Sequence, residues 1–142
     1  MPSAERTITI NRPIDEVFRL VADGTKANQW RSGVLDVALV SGEGLGARYA
    51  QGVKGPGGRR IPADYEITAF EPNAKIGFRA TAGPVRPEGS FMFEGMGTGT
   101  ILTFALQAEL SGWKRFVMGG AVQSTMDAEM RALDRLKDLL ER

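Results

Sequence analysis

Thr7-Ile8-Thr9-Ile10-Asn11-Arg12-Pro13-Ile14-Asp15-Glu16-Val17-Phe18-Arg19-Leu20-Val21-Ala22-Asp23-Gly24-Thr25-Lys26-Ala27-Asn28-Gln29-Trp30 is the stretch whose reading decides the fold. From Glu5 to Asn11 polar and apolar residues alternate, the period of a half-buried strand. Asn11 is placed to cap a helix. Pro13 suits its first turn, where the missing N–H would be unpaired in any case. Ile14, Val17, Phe18 and Val21 fall at i, i+3, i+4 and i+7, one apolar stripe on that helix. Gly24 is expected to end it, and residues 26–30 to form a second short helix running into Trp30.

Outward from this stretch the chain reads as strands. Apolar and β-branched residues predict strands at 34–40 and 47–53, divided by a glycine-rich turn at 41–46. Lys54-Gly55-Pro56-Gly57-Gly58-Arg59 is a further turn, and residues 61–70 alternate as one strand. Strands at 75–81, 89–94 and 100–110 follow, the last two as a hairpin across Gly95-Met96-Gly97-Thr98-Gly99. Short runs joined by tight turns predict an antiparallel sheet. In the tail, Val122, Met126, Met130, Leu133, Leu136 and Leu140 recur every three or four residues, with Glu129 beside Met130, so this segment is a helix. Gly119-Gly120 marks either its start or a bend, and a bend or break is preferred because two interior glycines cost about 2 kcal/mol relative to alanine.

Composition narrows the chemistry. The 142 residues are 42% hydrophobic and 25% charged, as in ordinary globular proteins, and are read as one domain with its own core. There is no cysteine, which excludes disulfides, thiol nucleophiles and zinc–thiolate sites. There is no histidine, which excludes a Ser-His-Asp triad and the commonest general base and metal ligand. No metal or cofactor is expected. A net charge of +1 gives no field for nucleic acid or an anionic membrane. No apolar run approaches the roughly 20 residues of a membrane span, and the first residues lack a signal-peptide layout, so the protein is expected to be cytoplasmic. Gly95-Met96-Gly97-Thr98-Gly99 lacks the lysine and following helix of a phosphate-binding loop. Lys54, Arg59 and Arg60 read as a solvated hairpin tip, without the stacking aromatics of a nucleic-acid site.

A strand, two short helices, six further strands and one long last helix resemble the START-like or Bet v 1-like superfamily. Within it the chain resembles the bacterial polyketide cyclase/dehydrase and lipid-transport group. The residues that carry this are Ile10-Asn11-Arg12-Pro13-Ile14-Asp15-Glu16-Val17-Phe18, Trp30, and Tyr65-Glu66-Ile67-Thr68-Ala69-Phe70-Glu71-Pro72. Gly89-Ser90-Phe91-Met92-Phe93-Glu94 and Gly99-Thr100-Ile101-Leu102-Thr103-Phe104 add to it. The resemblance implies an α+β helix-grip fold, in which a curved seven-stranded antiparallel sheet wraps the C-terminal helix. Two short helices would plug one end and leave a cavity between sheet and helix. It leaves function open, because the superfamily contains transporters, cyclases, hydrolases and regulators.

Candidate residues for such a cavity are Trp30, Tyr49, Gln51, Tyr65, Phe78, Met92, Phe104, Met118, Val122 and Met126. The methionines offer adaptable apolar surface, although each also suits plain core packing, as do Phe91, Phe93 and Phe104. Trp30 is equally a lid or a structural plug. Arg79 is a further polar candidate. Which residues face inward depends on the 54–60 hairpin. If Lys54 pairs with Arg59, Tyr49 shares a face with Asp64; a loop one residue longer puts Tyr49 with Tyr65. The second register gathers more apolar groups and is preferred, with Glu66 and Asp64 outward. Leu110-Ser111-Gly112-Trp113-Lys114-Arg115-Phe116 suits a cavity entrance, a homodimer contact or, least well, a membrane surface. Three functions follow. The first is binding or transport of a hydrophobic or aromatic, lipid- or polyketide-like molecule. The second is an aromatase/cyclase using a tyrosine or an Arg/Asp pair. The third is an interaction module resembling Hsp90 activators.

Overall fold

In the computed structural model of the chain, residues 2–82, 85–109 and 112–142 are described, except for the side chains of Pro56 and of 112–119. Strand β1 (Ser3–Ile10) leads into helix α1 (Ile14–Ala22) and a 3₁₀ segment (Gly24–Gln29). Seven strands follow: β2 (Val34–Ser41), β3 (Arg48–Lys54), β4 (Arg60–Pro62), β5 (Tyr65–Glu71), β6 (Lys75–Ala80), β7 (Glu88–Met96) and β8 (Gly99–Gln107). Helix α2 (Gly112–Glu141) closes the chain. The strands form one antiparallel sheet in the order β1-β8-β7-β6-β5-β3-β2, with the short β4 paired to β3 beside that seven-strand path. This is the expected α+β helix-grip architecture.

Alternation makes the sheet two-faced. In β8, Leu102, Phe104 and Leu106 are buried while their neighbours are less so. Ile10, Val17, Leu102, Leu133 and Leu136 have no exposed surface and bring β1, α1, β8 and α2 together. Phe18 of α1 meets Phe70 and Phe93 edge-on, at ring distances of 5.4 and 5.0 Å. The buried Thr100 hydroxyl donates to the Arg12 carbonyl at 2.8 Å, so burying it strands no polar atom.

Helix α2 also seals the free edge of β1. Gln123 accepts from the Ser3 N–H at 3.0 Å and donates to the Ser3 carbonyl at 2.6 Å. Lys137 donates to the Thr9 carbonyl at 2.6 Å, and Glu141 accepts from the Asn11 N–H at 2.7 Å. Side chains thus take up backbone groups that would otherwise invite another strand. Asn11 therefore does not cap α1: Pro13 precedes the helix, and its carbonyl accepts from the N–H groups of Glu16 and Val17.

Two further local expectations change, over 61–70 and at Gly119–Gly120, while the preferred 54–60 register holds. The strand expected over 61–70 breaks between β4 and β5. There the Ala63 N–H donates to the Gln51 carbonyl, while the Gln51 N–H turns to the Asp64 carboxylate at 3.0 Å, a side chain replacing a ladder acceptor. Asp64 is thus tied to the β3 backbone instead of simply facing outward. Lys54 pairs with Arg60, Gly52 with Pro62 and Tyr49 with Tyr65, which is the longer-loop register. Helix α2 begins at Gly112 and runs unbroken through Gly119–Gly120. Leu110 and Ser111, and the side chains of Trp113, Lys114, Arg115, Phe116 and Met118, lie outside the described residues. Among the described residues no helix is long and apolar enough to cross a membrane.

Candidate functional site

Between the concave sheet face and α2 lies a cavity of about 400 Å³. That is within the range of ligand sites, which starts near 300 Å³. Its walls come from the end of α1, the 3₁₀ segment, strands β3 to β8 and the α2 stretch from Ala121 to Glu129.

One wall is a run of aromatic rings laid across the strands. Tyr49 and Tyr65 are direct cross-strand partners and stack at 4.9 Å with planes 15° apart. Phe78 follows, edge-on to Tyr65 at 6.2 Å and tilted against Phe91 at 5.9 Å. Phe91 and Phe104, again direct partners, stack at 4.3 Å. Such pairs each contribute about 0.5–1.5 kcal/mol beyond burial. Trp30 closes on this wall, edge-on to Phe91 at 6.0 Å and 2% exposed. Its ring lies in the cavity wall. Its indole N–H is the one buried side-chain polar group without a partner among the described residues.

Glycines make room for the wall. Gly24 does not terminate α1 as expected: the helix ends at Ala22, and the Asp23 carboxylate accepts the Thr25 N–H at 3.1 Å. A Cβ on Gly24 would lie 2.5 Å from Tyr65 Oη and 2.7 Å from Tyr49 Cε1. Gly24 is there because the tyrosines pass over it. Gly89 similarly lies under Phe78, where a Cβ would come within 2.7 Å of the ring.

A polar cluster occupies one region of the lining. Arg31, just beyond Trp30, forks onto Glu129 of α2, with Nε to Oε2 at 2.9 Å and Nη2 to Oε1 at 3.3 Å. The two side chains are 20% and 18% exposed. Arg31 Nη1 donates to Gln51 Oε1 at 3.3 Å, and Gln51 Nε2 donates to the Ala63 carbonyl at 3.3 Å. Burial pulls the Arg31 pKa down, but the charge of Glu129 and its hydrogen bond outweigh this and hold it above the ordinary value. Tyr65 is pushed well above the usual tyrosine range, first by burial; Arg31 opposes the shift, and the charges of Tyr49 and Asp23 add to it. Tyr49 is also raised, first by burial; the Gly24 backbone opposes the shift and the Asp23 charge adds to it. Both phenols therefore stay neutral at physiological pH, as hydrogen-bond donors and not bases.

Of the residues expected at the site, Trp30, Tyr49, Gln51, Tyr65, Phe78, Phe104, Val122 and Met126 line the cavity. Met92 does not. It alternates with the buried Phe91 and Phe93 and so points away from the interior, 52% exposed. Arg79 also faces outward, ion-paired with Glu66, which Arg48 approaches at 3.7 Å. Phe91, expected only as core, is part of the wall, whereas Phe93 packs in the core with Phe18. Arg31 and Glu129 are absent from the sequence-based candidates. The usable signal is a carboxylate three residues after Met126 and four before Leu133, on an otherwise apolar stripe. Among the described residues no group of three or more acidic side chains is placed to hold a metal.

The model of a family described as polyketide cyclase/dehydrase and lipid transport matches residues 1–141. No curated protein matches the chain. Among solved structures it is similar to TTHA0849 of Thermus thermophilus, with a TM-score of 0.80, 21% identity, and 96% of this chain and 95% of that one covered. The Zhui aromatase/cyclase of a Streptomyces species matches at a TM-score of 0.74 and 17% identity, covering 99% and 93% of the two chains. A START superfamily protein of Mycobacterium smegmatis matches at 0.71 and 16%, covering 96% and 98%. At these identities the likeness is one of fold.

Proposed function

The chain belongs to the polyketide cyclase/dehydrase and lipid-transport family, and on that premise we propose that it binds and carries a hydrophobic or aromatic small molecule. The observation that carries this is the cavity of about 400 Å³, walled by aromatic and aliphatic side chains with one compact polar cluster. Apolar walls supply affinity through burial, at about 25 cal/mol per Å². The tyrosine hydroxyls and Arg31 supply the few directional contacts that orient a ligand. Single-domain organisation, a cytoplasmic location and action without a cofactor belong to the same proposal. Native mass spectrometry before and after mild organic extraction tests it. A discrete added mass lost on extraction supports carriage. Protein that carries no adduct and takes none up from fatty acids, flavonoids and short polyketide mimics contradicts it.

A second reading, cyclisation or dehydration of a polyketide-like chain, is favoured by one specific observation. Two tyrosines kept protonated stack on the aromatic wall, and Tyr65 feels the Arg31 charge. They suit donation to a developing oxyanion, not proton abstraction. Glu129, the carboxylate among the described lining residues, has both oxygens engaged by Arg31. If Tyr49→Phe and Tyr65→Phe both leave turnover of a cyclase substrate unchanged, tyrosine chemistry is ruled out. The interaction-module reading needs a filled interior, and the cavity weighs against it.

A further inference from the structure

Among the described residues the cavity lining carries three charged side chains: Arg31, Glu129 and Lys54. Lys54 belongs to the exposed hairpin and is itself exposed, so its charge is solvated. Arg31 is the inner cation, and its fork is filled. Two of its N–H groups go to the two oxygens of Glu129 and a third to Gln51. A guanidinium has five N–H donors, so two are left over, but its charge is already matched. Asp23 adds negative potential at the tyrosine pair, where it raises both phenols. The polar region therefore offers hydrogen-bond donors without net positive charge. A neutral oxygen can take those donors. A carboxylate entering the same place loses its hydration, meets no unmatched cation among the described residues and faces Glu129.

We propose that Glu129 sets the charge class of the ligand. By occupying the Arg31 fork, it makes the inner cavity selective for an uncharged molecule with a hydrogen-bond-accepting oxygen, such as a ketone, ester or lactone on an apolar body, and against a carboxylate of the same shape. This rests on the reading that the cavity binds a small apolar molecule. Tyr65 is the natural second donor, since its hydroxyl makes no hydrogen bond to protein among the described residues and stands by the cavity beside Gly24.

The test uses matched pairs that differ only in the head group. One pair is 2-acetylnaphthalene and 2-naphthoate; the other is 2-tridecanone and dodecanoate. Binding is measured by titration calorimetry at pH 7 on the full chain. Wild type is expected to bind each ketone on the order of tenfold or more tighter than its carboxylate, about one decade being 1.4 kcal/mol. Glu129→Gln keeps the shape, releases the Arg31 charge and is expected to reverse the order within each pair. Its fold is checked by circular dichroism. The wild-type comparison needs no variant, so it stands even if Glu129→Gln does not fold. Wild-type protein that binds a carboxylate as tightly as its ketone overturns the inference and leaves the carrier reading intact. An unchanged order in a folded Glu129→Gln protein overturns the role of Glu129. Binding of neither pair overturns the inference and the carrier reading together.

Discussion

The same sheet and the same helix enclose two different interiors. Toward the C-terminal end of α2, Leu133 and Leu136 meet Ile10, Val17 and Leu102 in a solid core with no exposed surface. Around its middle, Val122, Met126 and Glu129 face a hollow of about 400 Å³. The difference is what lies between helix and sheet. At the solid end α1 drives Phe18 against Phe70 and Phe93. At the hollow end the chain has moved on into the 3₁₀ segment, where Gly24 and Ala27 contribute almost no volume. The Arg31–Glu129 ion pair, on the cavity wall, ties the segment after the 3₁₀ turn to α2. An opening lined by a half-buried charge pair and an aromatic ladder is a built feature, because protein interiors otherwise close to crystal-like density.

Substitutions at the two ends should therefore behave differently. Leu133→Ala removes a fully buried side chain from the solid core and is expected to cost about 2–5 kcal/mol in urea unfolding. Met126→Ala, on the cavity wall, should cost less, about 1–2 kcal/mol, since one side of the side chain already faces a void. Equal losses at the two sites would erase the contrast. Arg31→Met comes next. It strands Glu129 on the cavity wall and is expected to cost about 2 kcal/mol, below the roughly 3–5 kcal/mol of fully buried pairs because both side chains keep some exposure. Gly24→Ala is expected to cost about 1 kcal/mol and weaken ligand binding about tenfold, because the new methyl pushes the tyrosine pair into the cavity. A large loss of stability with intact binding would place Gly24 in the core, not the site.

The smallest effect belongs to neither end. Glu66 is held below the usual carboxylate range first by its hydrogen bond to Arg79, Asp134 by Arg6 and Asp36 by Arg60. Glu141 is lowered first by the Asn11 backbone N–H and then by Lys137. In each case the unfolded chain binds the proton more readily, so the stabilisation is present above the unfolded values of about 3.9 for Asp and 4.3 for Glu. It fades as pH falls through the lower folded values. The urea midpoint should therefore fall between pH 5 and pH 3, and fall less at high salt because these groups face solvent. A midpoint independent of pH in that window would contradict the ion-pair assignment.

The sequence made the solid half legible and the hollow half only in outline. Periods of two and of three to four locate strands and helices because burial imposes them, and Ile14, Val17, Phe18 and Val21 announce α1 directly. Tyr49 facing Tyr65 followed from a register argument on apolar grouping. The break at Ala63–Asp64 did not, since it depends on a carboxylate substituting for a backbone acceptor across strands. Met92 and Arg79 were readable errors: the first has opposite parity to Phe91 and Phe93, the second to Phe78. Arg31 with Glu129 was the real gap. Glu129 sat visibly on an apolar stripe, but its partner lies 98 positions away in sequence, and only the closed fold brings them together.

The contrast between the two interiors is tested most directly by methyl NMR of the protein titrated with 2-acetylnaphthalene. Shift changes are expected at Val21, Ile67, Ile76, Leu106, Val122 and Met126, which line the hollow. Val17, Leu102, Leu133 and Leu136 should not move. Changes spread evenly over both sets, or confined to the second, would contradict a ligand cavity at one end of a solid core.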